Sequence, residues 1–115
     1  MNSTKPNLLV ICGRNKRRSR TAESIFKNEQ RFNIKSAGLS PKSNVQINEQ
    51  LLLWADLLLV MEDGQAARIS GQYRHLNLPQ METLHIEDRY EYLDPELIDL
   101  LKERINNTLK FRYKM

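Results

Sequence analysis

The sequence predicts an α/β fold: a three-layer, doubly wound domain with a four-stranded parallel sheet flanked by helices. Strand-like and helix-like stretches alternate from end to end. Two of the apolar runs, residues 8–12 and 57–61, have no polar interruption, as expected of strands covered on both faces. The stretches between strands are too long for hairpins, so right-handed crossovers would lay the strands parallel with helices on either side. At 115 residues the chain is read as a single domain, 1–115.

The first strand is the run Leu8-Leu9-Val10-Ile11 ending at Cys12. A helix follows over about 19–29, opening with the amphipathic Thr21-Ala22-Glu23-Ser24-Ile25-Phe26. Residues 32–36 alternate and read as a short second strand stopped by glycine at Ala37-Gly38. After a loop at 39–43, residues 47–54 carry apolar side chains at helical spacing, with Trp54 expected to pack beside Leu51 and Leu58. The third strand spans 56–61 and ends at Glu62-Asp63-Gly64; a helix over 65–70 and a fourth strand over 83–86 complete the alternation. Asp94-Pro95-Glu96 is a helix start, with an N-cap, a proline at the first position and an acid in the first turn. Leu97, Ile98, Leu101, Ile105 and Leu109 then form the apolar stripe of a long last helix.

Composition narrows the class. Hydrophobic residues make up 40% and charged residues 28%, the balance of an ordinary globular protein. One cysteine precludes an internal disulfide framework and a multi-cysteine zinc site, and points to a reducing, cytoplasmic compartment. The longest apolar stretch, 51–61, contains Asp56 and is too short for a membrane span. Net charge is +4, concentrated where Arg14, Lys16, Arg17, Arg18 and Arg20 fall within seven positions. Such a cluster implies an anionic partner. Aromatic residues are not interleaved with it, which argues against a nucleic-acid strand.

The cluster overlaps the most informative motif. Cys12-Gly13-Arg14-Asn15-Lys16-Arg17-Arg18-Ser19 links the first strand to the first helix, with Arg18 six positions after Cys12. Covalent phosphate-ester hydrolysis needs a nucleophile, a fixed planar cation for the equatorial oxygens, and N–H groups pointing inward. A short loop closing onto a helix N-terminus supplies all three, and arginine suits the clamp because its fork meets two oxygens. A free cysteine taken alone is more often a small buried core residue. Here its position at the carboxyl end of a strand, where open α/β sheets place ligands, favours the chemical reading.

These residues resemble the low-molecular-weight protein tyrosine phosphatase family, whose loop has the form Cys-x-Gly-Asn-x-x-Arg-Ser. Cys12, Asn15, Arg18 and Ser19 match; the family glycine is Arg14, with Gly13 one place earlier. Ser36-Ala37-Gly38 and Ala55-Asp56-Leu57-Leu58-Leu59-Val60-Met61 are similar to the family's second and third strands, in the same order. The family's Asp-Pro-Tyr stretch, which carries the general acid, aligns without gaps on Asp88-Arg89-Tyr90. Asp94-Pro95 offers a rival register, although Asp94 already serves as an N-cap.

The resemblance implies a phosphorylated protein or another phosphomonoester as substrate, with no metal or cofactor. Cys12 would be the nucleophile, Arg18 the clamp and Asp88 the acid and then the base. Gly13, Arg14, Asn15, Lys16, Arg17, Ser19 and Tyr90 would meet the substrate, Ser19 would also assist the sulfur, and Asn15 with Ser36 would support the loop. Only residues 39–54 stand where the family has a longer segment with a pocket wall, so a more open pocket is expected. The second cysteine of many family loops is Arg17, so a protective disulfide is not available. Alternatives remain: a phosphocysteine carrier, which the acid argues against; arsenate reduction, which needs further cysteines; and a non-catalytic anion or nucleic-acid binding module.

Overall fold

In a computed structural model, which describes residues 5–114, four parallel strands stand in the order β2-β1-β3-β4. β1 (Asn7–Cys12) and β3 (Leu57–Val60) are the central pair, β2 (Asn33–Gly38) and β4 (Gln80–Thr83) the edges. Ile11 lies opposite Ala37 on one side and Val60 on the other. Alternating side chains of β1 point to opposite faces and divide the core. Leu8, Val10 and Cys12 pack with Ala22 and Phe26 of the α1 segment and with Leu97, Leu101, Ile105 and Leu109 of α4. Leu9 and Ile11 pack on the other face with Leu52 of α2 and Ile69 of α3. The helices are α1 (Arg18–Ile25), α2 (Glu49–Trp54), α3 (Asp63–Gln72) and α4 (Pro95–Tyr113).

Local chemistry sets the boundaries. Asn48 caps α2 by accepting from the Leu51 N–H, and Asp94 caps α4 by accepting from the Glu96 N–H, with Pro95 behind it. Glu62 and Gln65 form a reciprocal capping box, which starts α3 at Asp63 rather than at Gln65 as periodicity alone suggests. α1 is shorter than the expected 19–29, ending where Phe26 leaves helical geometry. Trp54 is half-buried against the α2–α3 side of the core, with the Lys35 ammonium 4.5 Å from its ring centre.

One sequence expectation needs correction. The fourth strand is Gln80–Thr83 rather than 83–86, because β3 is only four residues long and its register sets Leu57 opposite Gln80 and Val60 opposite Thr83. Beyond that register Leu84 and Ile86 still donate N–H groups to the carbonyls of Val60 and Met61. His85 between them takes a left-handed φ of 57°, which ends the extended run.

The second strand ends at Gly38, as expected; Gly38 is the last residue of β2 and pairs with Cys12. Its glycine is required by close approach, not by an unusual φ. A Cβ there would lie 2.8 Å from backbone atoms of both Arg14 and Asn15 and 2.1 Å from Ser43 Oγ. Gly71, inside α3, faces open space. Gly38→Ala is therefore expected to lower stability by about 2 kcal/mol, whereas Gly71→Ala raises it by about 0.5–1 kcal/mol. Denaturant midpoints of the two variants check the opposite signs.

Candidate active site

Because β1 connects to β2 on one side and β3 leads to β4 on the other, loops leave the carboxyl ends of the central strands in opposite directions. A crevice opens there. The 13–17 loop turns directly into α1, whose first turn holds no acidic residue and whose N-cap, Arg17, makes no capping side-chain bond. The N–H groups of that turn stay available to an anion. Beside them lies a pocket of about 350 Å³, lined by Cys12 and Gly13, by Arg14, Lys16, Arg17 and Arg18, and by Asp88.

Asn15 holds the loop in shape. Its φ of 55° is left-handed, a conformation asparagine tolerates better than most residues. Buried bonds fix it there: Nδ2 donates to Ser19 Oγ at 2.8 Å and to Ser36 Oγ at 2.9 Å, and its carbonyl accepts from Asn44 Nδ2 at 3.0 Å. Ser36 donates onward to Glu23 Oε1, so an α1 carboxylate anchors the chain of bonds. Ser19 Oγ lies 3.0 Å from Cys12 Sγ. With Asn15 donating to that oxygen, the hydroxyl hydrogen is free to point at sulfur.

Arg18 is a buried cation, 4% exposed, and such a charge needs partners. Its Nη1 donates to Glu62 Oε2 at 2.8 Å and to the Ile86 carbonyl at 2.6 Å. Both contacts use one terminal nitrogen, leaving Nη2 unused by them, while Nε lies 3.7 Å from Asp88 Oδ1. The segment that follows β4 thus supplies the Ile86 carbonyl and, two residues on, Asp88.

The structure brings Cys12, Arg18 and Asp88 to one pocket, and places Asp94 instead on the cap of α4. Asn15 and Ser19 are buried within the loop rather than lining the pocket. Tyr90 stands apart from that pocket. It is 4% exposed, sits in the core and donates its hydroxyl to Glu96 Oε2 at 2.9 Å, so it does not reach the pocket. Burial, then the Glu96 bond, raises its pKa above the ordinary tyrosine value. Three contributors were missed by sequence reasoning: Glu62, Asn44 and Glu23. Glu62, at the carboxyl end of the strand beside Cys12, is the one that strand order could have singled out.

Among the described residues no helix is long and apolar enough to cross a membrane, and no cluster of three His, Cys, Asp or Glu side chains could hold a metal ion. No protein-family profile matches the sequence, and no curated protein does. Solved structures do match. The tyrosine phosphatase Wzb from Escherichia coli K30, in complex with phosphate, superposes with a TM-score of 0.71 at 21% identity over 95% of this chain and 99% of that one. This chain has their fold. The same is seen with SP-PTP, a low molecular weight protein tyrosine phosphatase from Streptococcus pyogenes, at a TM-score of 0.74 and 15% identity over 95% of this chain and 93% of that one. The YwlE arginine phosphatase from Geobacillus stearothermophilus gives 0.70 at 20% identity over 92% of this chain and 94% of its own. The low-molecular-weight phosphatase fold expected from Cys12, Asn15, Arg18 and Ser19 is the fold observed.

Asn15→Ala removes the two buried bonds of the side-chain amide, to Ser19 and Ser36, and leaves a left-handed alanine, so inorganic phosphate should bind at least about tenfold more weakly. Tyr90→Phe, which changes no pocket group, should bind phosphate within about twofold of wild type. Calorimetric titration of both variants checks the contrast.

Proposed function

We propose that this chain is a cysteine-dependent phosphate-monoester hydrolase that works through a phosphocysteine intermediate. The observation that carries the reading is the convergence of Cys12, Arg18 and Asp88 on one pocket at the N-terminus of α1. A free-thiol nucleophile also fits a reducing, cytoplasmic compartment.

Cys12 attacks phosphorus as a thiolate, favoured by the Ser19 hydroxyl and the loop N–H groups. The S–P bond forms as the bond from phosphorus to the ester oxygen breaks, and protonated Asp88 gives its proton to that oxygen. Asp88 then takes a proton from water, whose oxygen attacks phosphorus; the S–P bond breaks, inorganic phosphate leaves and the thiolate returns. Arg18, held by Glu62 and Ile86, presents its fork to the equatorial oxygens throughout. Asp88 suits proton transfer because its side chain remains 63% exposed at the pocket.

The leaving group is read as an alcohol or phenol. A guanidinium leaving group, as in a phosphoarginine substrate, would meet Arg14, Lys16 and Arg17 and be repelled. No aromatic side chain and none of residues 39–54 lines the pocket among the described residues, so selectivity for a tyrosyl ring has no stacking surface.

Wild type should hydrolyse para-nitrophenyl phosphate at mildly acid pH with chelator present. Cys12→Ser should abolish turnover, and Asp88→Asn should lower it about 10²–10³-fold. Glu62→Ala frees Arg18 to shift and should cost about 10–100-fold in kcat/KM. Initial rates on all four proteins test the reading; a wild type without turnover, or a Cys12→Ser variant that retains it, contradicts it.

A further inference from the structure

The pocket carries more positive charge than one phosphoryl group uses. With Arg18 assigned to the transferring group, Arg14, Lys16 and Arg17 still line the same pocket, and all three are exposed. Among the described residues Arg14 and Lys16 enter no ion pair, and Arg17 meets Glu91 only at 3.9 Å between two exposed side chains, a contact of little strength in water. None of the three belongs to the core, so packing does not explain them. Arg18 is already met by Glu62 and Asp88, but the three other cations around this small cavity repel one another until anions neutralise them.

Their placement limits the kind of anion they can meet. They stand within one short loop and line the same pocket, so all three can meet a group bound beside the scissile phosphate. The adjoining cavity is bordered by Glu62, Asp63, Glu87 and Asp88. An acidic peptide or a nucleic-acid strand leaving the pocket on that side would run past these carboxylates, whereas a compact ligand would not. No aromatic residue lines the pocket to stack a base.

We propose that the substrate is a small phosphomonoester carrying a second anionic group, phosphate or carboxylate, a few bonds from the scissile phosphate, with that group bound by Arg14, Lys16 and Arg17. The proposal rests on the hydrolase reading above. Each added charge-assisted contact can supply about a tenfold gain.

The test compares phosphate release from glycerol 2-phosphate, 3-phosphoglycerate, 2,3-bisphosphoglycerate and an acidic phosphotyrosine peptide, with para-nitrophenyl phosphate as the reference for basal chemistry. In wild type, kcat/KM for a phosphoglycerate should exceed that for glycerol 2-phosphate at least about tenfold. 3-Phosphoglycerate against glycerol 2-phosphate reads the carboxylate, and the bisphosphate against 3-phosphoglycerate reads what a second phosphate adds to it. In the Arg14→Gln/Lys16→Gln double variant that ratio should fall to within about threefold of unity, and added salt should compress it in wild type. Titration of the same compounds into Cys12→Ser reads the preference without catalysis. Turnover without the preference, or fastest turnover of the acidic peptide, overturns the second-anion site and leaves the hydrolase reading intact. Preferential binding to Cys12→Ser without any wild-type turnover overturns the hydrolase reading and supports the second-anion site.

Discussion

The conformation of one residue, Asn15, governs the loop between β1 and α1. A chain leaving a buried strand must reverse within a few residues to start a helix and, in doing so, turn its N–H groups towards a common centre. Asn15 makes that reversal possible by accepting a left-handed backbone, and a buried chain of hydrogen bonds through Ser19, Ser36 and Glu23 holds it there. The arrangement is cooperative, since each bond fixes the donor or acceptor of the next. It also links shape to chemistry: the hydroxyl that receives Asn15 Nδ2 is the one beside the Cys12 sulfur.

The sheet supplies the second constraint. Cys12 ends β1 and Val60 ends the adjacent β3, so the residues that follow each are brought to the same crevice. From β1 comes the 13–17 loop; from β3 comes Glu62, which both caps α3 and pairs with Arg18. A buried guanidinium so held loses little further freedom when it meets an anion. The segment past β4 completes the set with the Ile86 carbonyl and Asp88. The cleft is thus polarised, cationic on the loop side and acidic on the β3–β4 side.

Much of this was legible in the residues. The uninterrupted run before Cys12, the cysteine-to-arginine spacing and the Asp94-Pro95 helix start each depend on neighbours in sequence, and each stands where expected. What could not be read depends on pairing across the fold. The place of β4 followed from the short register of β3, not from the alternation of Leu84 and Ile86. Gly38 looked like a strand stop, but its reason is the backbone of Arg14 and Asn15 lying against it. Tyr90 was aligned with a pocket aromatic, yet its partner Glu96, six residues on, and the α1–α4 core claim it. Glu62, Asn44 and Glu23 reach the loop from separate elements and leave no local signature.

On the proposed mechanism, Cys12 carries the phosphoryl group between its two transfers. Mixing the Asp88→Asn variant with para-nitrophenyl phosphate, quenching in the steady state and mapping the modified peptide by mass spectrometry tests it directly, because slowed hydrolysis should let the intermediate accumulate. The account predicts one phosphoryl group on the peptide containing Cys12 and on no other. Phosphate release with Cys12 unmodified at every quench time, or a phosphoryl group on another side chain, would contradict it.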